Sequence, residues 1–340
     1  MDQKSLRLWN VSRKLTGLPT TAAASLWSHS SFVNLRAPRL SCAVFLTQVL
    51  HLLHCEEAEM EDSIKGVEAA KKDGLSQTDR WVKEQDVLKE RLVMFDDFPW
   101  RLGTVSSEEG KDSLPEGSGG VIDGSELRYV GGVDLSFAKE DSSFACGALV
   151  VMDLESMKVV YEDFDVVQLT MPYVAGFLAF RETPVLLGLL KKMAAKAPLL
   201  YPQLLMVDGN GILHPRGFGL ASHLGVLADI PTIGIGKNLH HIDGLTNLQV
   251  RHVVSESNLQ AGGGMPLVGS TGQVWGMAFR SHDGCSKPVF ISVGHRISLD
   301  TAVEVVRRCC LHRVPEPVRQ ADLRSREHLR KYPISMPQPS

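Results

Sequence analysis

The hydrophobic pattern of the chain changes its period after the first apolar segments, and the change predicts two kinds of element. Three apolar segments rich in β-branched residues follow one another at 128–137, 144–154 and 158–169. Their short polar connections predict an antiparallel meander of strands. Later apolar positions recur at helical spacing, at Leu186, Leu187, Leu189, Leu190 and Met193. Thr183 and Pro184 predict the start of this helix, with threonine as its cap and proline in its first turn.

Shorter elements alternate along the rest of the chain. Apolar runs predict strands at 203–207, 232–236, 274–280 and 289–293, and helical spacing predicts helices at 217–227 and 298–308. A further helix is predicted at 76–95, with Trp81, Leu88 and Leu92 on one face. A meander followed by alternating helices and strands predicts an α/β fold, a mixed sheet with helices on its faces.

The start of the chain has a composition of its own. Up to about Cys55 its only acidic residue is Asp2, and its basic residues lie among many serines. Mitochondrial transit peptides share this composition, but we favour a disordered or incidental extension. The apolar stretch at 40–53 is too short and too polar to span a membrane, so no membrane partner is expected. We predict an atypical extension over 1–75, a catalytic domain over 76–331 and a flexible tail over 332–340.

Charge and cysteine content leave the class of protein open. The formal net charge of -3 does not indicate a nucleic-acid binder, although a local basic stripe is enough to hold phosphates. From Arg307 to Lys331, eight arginines and lysines outnumber three acids. This segment either follows a phosphate backbone or forms a solvated terminal helix. None of the six cysteines belongs to a C-x-x-C pair, which disfavours zinc and thioredoxin-type sites.

Two aspartates follow or interrupt apolar strands. Asp134 lies inside the strand at 128–137, where a carboxylate is costly unless it is paired or holds a metal. It would be unremarkable on the solvent face of an edge strand, so its role stays open at this stage. Asp208 ends the strand at 203–207 and precedes Gly209 and Gly211. Ligands gather at the carboxyl ends of strands in such sheets, whereas an aspartate that begins a turn is the plain alternative.

Two further polar residues gain meaning only in combination. Glu182 precedes the helix predicted from Pro184, where an acid also suits a helix N-terminus. His295 follows a strand and could be a structural histidine. Together, carboxylates from several elements at one end of a sheet can hold Mg²⁺, which activates water and neutralises charge on a phosphodiester. The chain has no His/Cys cluster with zinc spacing, so Mg²⁺, with Mn²⁺ as a substitute, is the expected cofactor.

Five sequence blocks occur together in a specific order. They are VGGVDLSF at 130–137, PYVAGFLAFRE at 172–182, VDGNG at 207–211, HPRGFGLASHLG at 214–225 and SVGHRIS at 292–298. In this order they resemble the endonuclease V family, over about residues 127–300, and a weaker match reaches back to the helix at Ser76. The resemblance implies a ribonuclease H-like fold and a metal-dependent endonuclease.

The resemblance also implies roles for individual residues. Asp134 and Asp208 would bind the metal, Glu182 would complete the acidic site, and His295 would assist. The substrate-binding residues would be Pro172, Tyr173 and Val174, which form a wedge, Gly209, Gly211 and Gly217, which line a hypoxanthine pocket, and Lys237, which holds a phosphate. Tyr173 would stack where the inosine nucleotide has been flipped out of its strand.

The implied reaction is hydrolysis of the second phosphodiester bond 3′ of inosine, leaving 3′-hydroxyl and 5′-phosphate ends. The partners would be inosine-containing single-stranded RNA and deaminated DNA, and the end of the chain resembles the eukaryotic branch, which favours RNA. We expect such a protein in the cytoplasm and in the nucleus, including the nucleolus. Two other functions remain open: a module that binds inosine-containing RNA without cutting, and a metal-dependent phosphohydrolase for small molecules.

Overall fold

The predicted strands join into one eight-stranded mixed sheet in a computed structural model of the chain. The structure describes residues 76–103, 126–139, 141–257, 259–285 and 287–332. All of these belong to one compact unit. The strands are β1 Tyr129–Phe137, β2 Phe144–Asp153, β3 Lys158–Gln168, β4 Leu204–Asp208, β5 Thr232–Gly236, β6 Gly264–Val268, β7 Val274–Phe279 and β8 Val289–His295.

The strand order is β3-β2-β1-β4-β5-β8-β7-β6. The first three strands form the predicted antiparallel meander. β1, β4 and β5 run parallel to one another at the centre, and β8 runs antiparallel to β5. The carboxyl ends of β1, β4 and β5 therefore lie side by side, along what we call the carboxyl edge of the sheet. The carboxyl end of β8 lies along the opposite edge.

Helices cover both faces of the sheet. They are α1 Gln77–Glu90, α2 Leu178–Lys196, α3 Leu220–Ala228, α4 Asn247–Glu256, α5 Leu299–Arg308 and α6 Glu316–Lys331. Apolar side chains of α2 and α3 pack on one face, against Val133 and Val207 among others. α5 and the start of α6 pack on the other face, where Val318 joins Val130 in a second core. In the described part of the chain, no helix has the length and apolar character needed to cross a membrane.

Helix α2 begins earlier than the sequence predicts. It starts at Leu178, so Thr183 is a buried residue within the helix and Pro184 lies inside it. Proline cannot donate a hydrogen bond to the carbonyl four residues before it, which normally disfavours this position. The preceding turn is held instead by packing, because Phe177 and Phe180 contact Trp81 of α1. Tertiary contacts thus override a local start signal.

The other differences lie at ends of elements and in short elements. Helix α1 ends at Glu90 rather than near Phe95. Helix α3 begins after Gly217, whose φ of 65° is in the left-handed region. The sequence did not predict α4 or β6. The predicted start of a helix at residue 298 is confirmed, since Ser298 caps α5 and its side chain accepts a hydrogen bond from the Thr301 amide. The predicted boundaries at 75 and 332 adjoin or lie outside the described residues and stay predictions.

Candidate active site

The polar side chains of the central strands meet in one cleft at the carboxyl edge of the sheet. Val133 of β1 pairs with Val207 of β4, so the next residues, Asp134 and Asp208, are neighbours on adjacent parallel strands. The cleft has a volume of about 1030 Å³. Its charged lining residues are Asp134, Lys139, Glu182, Asp208, Lys237, Asp322, Arg326 and Arg330. The structure thus brings together all three predicted carboxylates and the predicted phosphate-binding lysine.

Asp134 is buried on the face of β1 that α6 covers. Its side chain is not on a solvent face, because β1 lies between β2 and β4 and only 7% of the residue is exposed. The Ser136 hydroxyl donates to Asp134 Oδ2 at 3.0 Å. Burial, together with the neighbouring carboxyl of Asp208, raises the pKa of Asp134 to about 8 from its ordinary 3.8. Burial and the neighbouring carboxyls thus outweigh the positive charge of Lys237, which favours the ionised form of Asp134.

Glu182 approaches the same point from α2. It is the fifth residue of that helix and only 6% exposed, so it is not the helix N-terminal acid that the sequence allowed. Burial, and then the charges of Asp134 and Asp208, raise its pKa to about 8 from 4.5. Two buried acids with raised pKa values in one cleft are typical of a functional site.

Lys237 supplies positive charge to the other side of the cleft. Its Nζ lies 2.5 Å from Asp208 Oδ2 and 3.4 Å from Asp322 Oδ2. Burial opposes the charge on Lys237, but the carboxylates of Asp208 and Asp322 outweigh burial and raise its pKa. One ammonium group thus bridges a strand aspartate and a helix aspartate.

The donor atoms of the cleft suit a hard divalent cation. Four carboxylates, from Asp134, Glu182, Asp208 and Asp322, line the cleft, and carboxylate oxygens are the ligands that Mg²⁺ prefers. Within the described residues no three acidic, histidine or cysteine side chains converge closely enough to ligate one ion. The ammonium group of Lys237 already contacts the Asp208 oxygen. The residues therefore fit such an ion in kind.

Asp322 also lines the cleft, although in the sequence it is only one of the three acidic residues in the basic segment 307–331. A signal for it was present. Val318, Ala321, Asp322 and Ser325 fall on one face of α6, and all except Asp322 are fully buried. A single carboxylate on a buried helical stripe is the same kind of anomaly as Asp134 within an apolar strand.

His295 does not lie in the cleft. It pairs with Thr232, at the start of β5, and so belongs to the opposite edge of the sheet from Asp208. It is 4% exposed, and its Nδ1 accepts a hydrogen bond from the Val93 amide at 3.3 Å. The geometry gives His295 a structural role and does not support the predicted catalytic one.

The predicted wedge is an exposed segment between β3 and α2. Tyr173 is 67% exposed, so its side chain does not pack in the core. Pro172 is also exposed, whereas Val174 packs against the buried cluster formed by Trp81, Phe177 and Phe180. The tyrosine therefore projects from an anchored base, as a stacking residue must.

The three predicted pocket glycines occupy different environments. Gly209 lines the cleft. Gly211 is required for packing, since a Cβ there would lie 1.9 Å from the Val293 carbonyl oxygen. Gly217 lies near Lys89 and is not among the cleft residues. Only Gly209 is thus placed directly beside the acidic residues.

Comparisons with known proteins agree with the resemblance carried by the five blocks. The family model described as endonuclease V matches residues 121–323. Endonuclease V of Mus musculus is 50% identical over 252 residues, which cover 74% of this chain and 69% of that protein. The crystal structure of the catalytic domain of human endonuclease V has a TM-score of 0.64 and 47% identity, covering 75% of this chain and 96% of that chain.

A crystal structure of Ciona intestinalis endonuclease V in complex with a 24mer DNA containing an inosine followed by a ribo-adenosine also matches. Its TM-score is 0.64 at 32% identity, and the match covers 75% of this chain and 98% of that chain. These neighbours confirm the expected α/β fold, a ribonuclease H-like mixed sheet flanked by helices. With its family model and close relatives agreeing, the chain belongs to the endonuclease V family and is an endonuclease.

Proposed function

We propose that this endonuclease uses Mg²⁺, with Mn²⁺ as a substitute, to hydrolyse the second phosphodiester bond 3′ of inosine. Its substrates would be inosine-containing single-stranded RNA and deaminated DNA, and its products would carry 3′-hydroxyl and 5′-phosphate ends. The observation that supports a metal site is the adjacent pair of Asp134, which is buried, and Asp208, which is half-buried. Inosine as the target is supported by the Ciona relative, which was crystallised with an inosine-containing strand.

The carboxylates of Asp134, Asp208 and Glu182 would hold the ion. Such an ion lowers the pKa of water and stabilises negative charge on a phosphate. The ammonium group of Lys237, which now contacts Asp208, would transfer to a phosphate oxygen of the substrate. The divalent ion would take the place of the ammonium group at Asp208, and the lysine charge would then face the negative charge of the phosphate.

The remaining residues would bind the strand. Tyr173, exposed on its anchored segment, would stack on the bases beside the flipped inosine, as aromatic side chains do with single strands. Arg326 and Arg330 line the cleft beyond the acids and would contact the phosphate backbone. The aromatic and basic side chains would thus bind the nucleic-acid strand, and the carboxylates would bind the metal.

A cleavage assay tests the proposal. End-labelled RNA and DNA strands of one sequence, each with inosine or adenosine at one position, are incubated with Mg²⁺ or with EDTA. Cleavage is expected only for inosine, only with Mg²⁺, and one nucleotide beyond the inosine's own 3′ linkage. Asp208→Ala should abolish it, whereas Asp283→Ala, which removes an exposed carboxylate outside the cleft, should not.

The other outcomes contradict parts of the proposal. Binding of inosine strands without cleavage would indicate a binding module, and equal cleavage of adenosine strands would exclude inosine recognition. Full activity in EDTA would exclude the metal. We also propose residence in the cytoplasm and the nucleus, including the nucleolus, which imaging of a tagged full chain tests.

A further inference from the structure

Two buried serines, from elements far apart in the sequence, contact the Asp134 carboxylate. Ser136 lies two residues along β1, and Ser325 comes from α6. The hydroxyl of Ser325 lies 2.7 Å from the Ser136 hydroxyl and 3.2 Å from Asp134 Oδ2. Ser325 is fully buried and Ser136 is 7% exposed. These hydroxyls are therefore shielded from water and committed to partners inside the protein.

The hydrogen-bond inventory shows what the serines do to Asp134. Each hydroxyl has one proton to donate. Ser136 donates to Asp134 Oδ2 at 3.0 Å, and Ser325 has as acceptors the Ser136 oxygen, the same carboxylate oxygen and the Asp322 carbonyl at 3.0 Å. Both hydroxyls thus lie within hydrogen-bonding distance of Oδ2, which leaves Oδ1 as the oxygen for partners in the cleft.

The helix that carries Ser325 is held at a fixed depth on the sheet. A Cβ at Gly132 would lie 2.0 Å from the carbonyl oxygen of Pro317, so β1 and the start of α6 are in direct backbone contact. Three residues before Ser325, the same helix brings Asp322 to Lys237. Docking of α6 therefore places one acid of the cleft and orients another.

We propose that Ser136 and Ser325 are positioning residues that fix the orientation of the Asp134 carboxylate for metal binding. The inference rests on the proposed metal-dependent function, with Asp134 as a ligand. Hydrogen bonds to ligating groups keep them in their binding orientation, and loss of such a partner typically weakens metal affinity roughly 10- to 100-fold. A carboxylate released from Oδ2 gains rotational freedom and must be reordered whenever an ion binds.

Titration with Mn²⁺, with the free ion measured by electron paramagnetic resonance, tests the serines without reference to activity. In the full chain, Ser325→Ala is expected to bind Mn²⁺ about tenfold or more weakly than the parent. The matched control is Ser222→Ala. Ser222 is also fully buried on a helix, but its hydroxyl has no hydrogen-bond partner among the described residues. Its removal should leave Mn²⁺ affinity unchanged.

Each outcome decides between the inference and its premise. If the parent chain binds no Mn²⁺, the proposed metal function falls and the positioning role falls with it. If the parent binds but Ser325→Ala binds equally well, only the positioning role is wrong, even if the variant melts at a lower temperature. Should Ser325→Ala not fold, Ser136→Ala tests the same carboxylate from the strand, and an unchanged affinity there overturns the proposal. Where both variants fold, the double variant should lose less affinity than the sum of the two single losses, because both act on one oxygen.

Discussion

Replacing Asp134 by asparagine is expected to stabilise the metal-free protein. Burial and the Asp208 carboxyl raise the pKa of Asp134 to about 8 in the folded state, against 3.8 ordinarily. Well below pH 3.8 the Asp134 carboxyl is protonated in both the folded and the unfolded state, and folding carries no penalty. As the pH rises from 3.8 towards 8, Asp134 ionises freely in the unfolded chain. In the folded protein it must either keep its proton or bury the charge, so the free energy of unfolding falls over this window.

The size of the effect follows from the same shift. Neutral pH lies roughly three units above the ordinary pKa, and each unit is worth about 1.4 kcal/mol, which gives an upper limit of about 4 kcal/mol. Asparagine removes the charge, and its amide can donate to Asp208, but it fits the serine hydroxyls less well than a carboxylate does. Allowing about 2 kcal/mol for that loss leaves a net gain of about 2 kcal/mol, or roughly 4–8 °C in melting temperature.

The assay is thermal melting in EDTA from pH 5 to pH 8, repeated with Mg²⁺. The advantage of Asp134→Asn should grow with pH in EDTA and shrink or reverse with Mg²⁺, because the ion stabilises only the intact carboxylate site. Asp283→Asn, at an exposed position, is the control and should melt like the parent at every pH. An asparagine variant that melts below the parent in EDTA at pH 8 would refute the reasoning, since it would mean that Asp134 is stabilised by its surroundings.

Three further variants test other parts of the molecule. Tyr173→Ala should keep a near-normal melting temperature, because the side chain is largely exposed, and should bind inosine strands roughly 10- to 100-fold more weakly in an equilibrium titration; a large fall in melting temperature with normal binding would contradict this. His295→Ala should lose about 1–3 kcal/mol of stability in denaturant unfolding, because the Val93 amide loses its acceptor, and should bind Mn²⁺ normally; weakened Mn²⁺ binding would return His295 to the site. A chain that starts at Met60 should cleave as the full chain does, because every predicted site residue follows it; a large loss of cleavage would show that the first residues contribute.

Local sequence patterns predicted seven of the eight strands, and one physical reason drew attention to both strand aspartates. A carboxylate that interrupts or ends an apolar strand is anomalous, and Asp134 and Asp208 each showed this anomaly. Their adjacency required the parallel pairing of β1 with β4, which joins segments about seventy residues apart and leaves no local signal. The hydrophobic pattern could therefore identify the two aspartates as candidates but could not predict that they are neighbours.

The errors have equally definite causes. His295 follows a strand, but β8 runs antiparallel to β5, so the end of that strand lies at the other edge of the sheet. Strand direction is not encoded in periodicity. Asp322 was hidden by the surrounding arginines, although Arg326 pairs with it at 2.7 Å and Arg324 pairs with Glu162. Part of the basic excess in this segment is thus neutralised within the protein, and a count of basic residues overstates the surface available to phosphates.

The docking of α6 on the sheet determines when, during synthesis of the chain, the cleft can be assembled. Asp134, Glu182 and Asp208 are all synthesised before the helix that supplies Ser325 and Asp322, and the contact between Ser325 and Asp134 spans 191 residues. Because chains emerge from their N-terminus and domains fold as units, the cleft is completed only after α6 has been made. A nascent chain that still lacks α6 has an uncovered β1 and an incomplete acidic cluster. The fold thus delays assembly of the nuclease site until α6 has been synthesised.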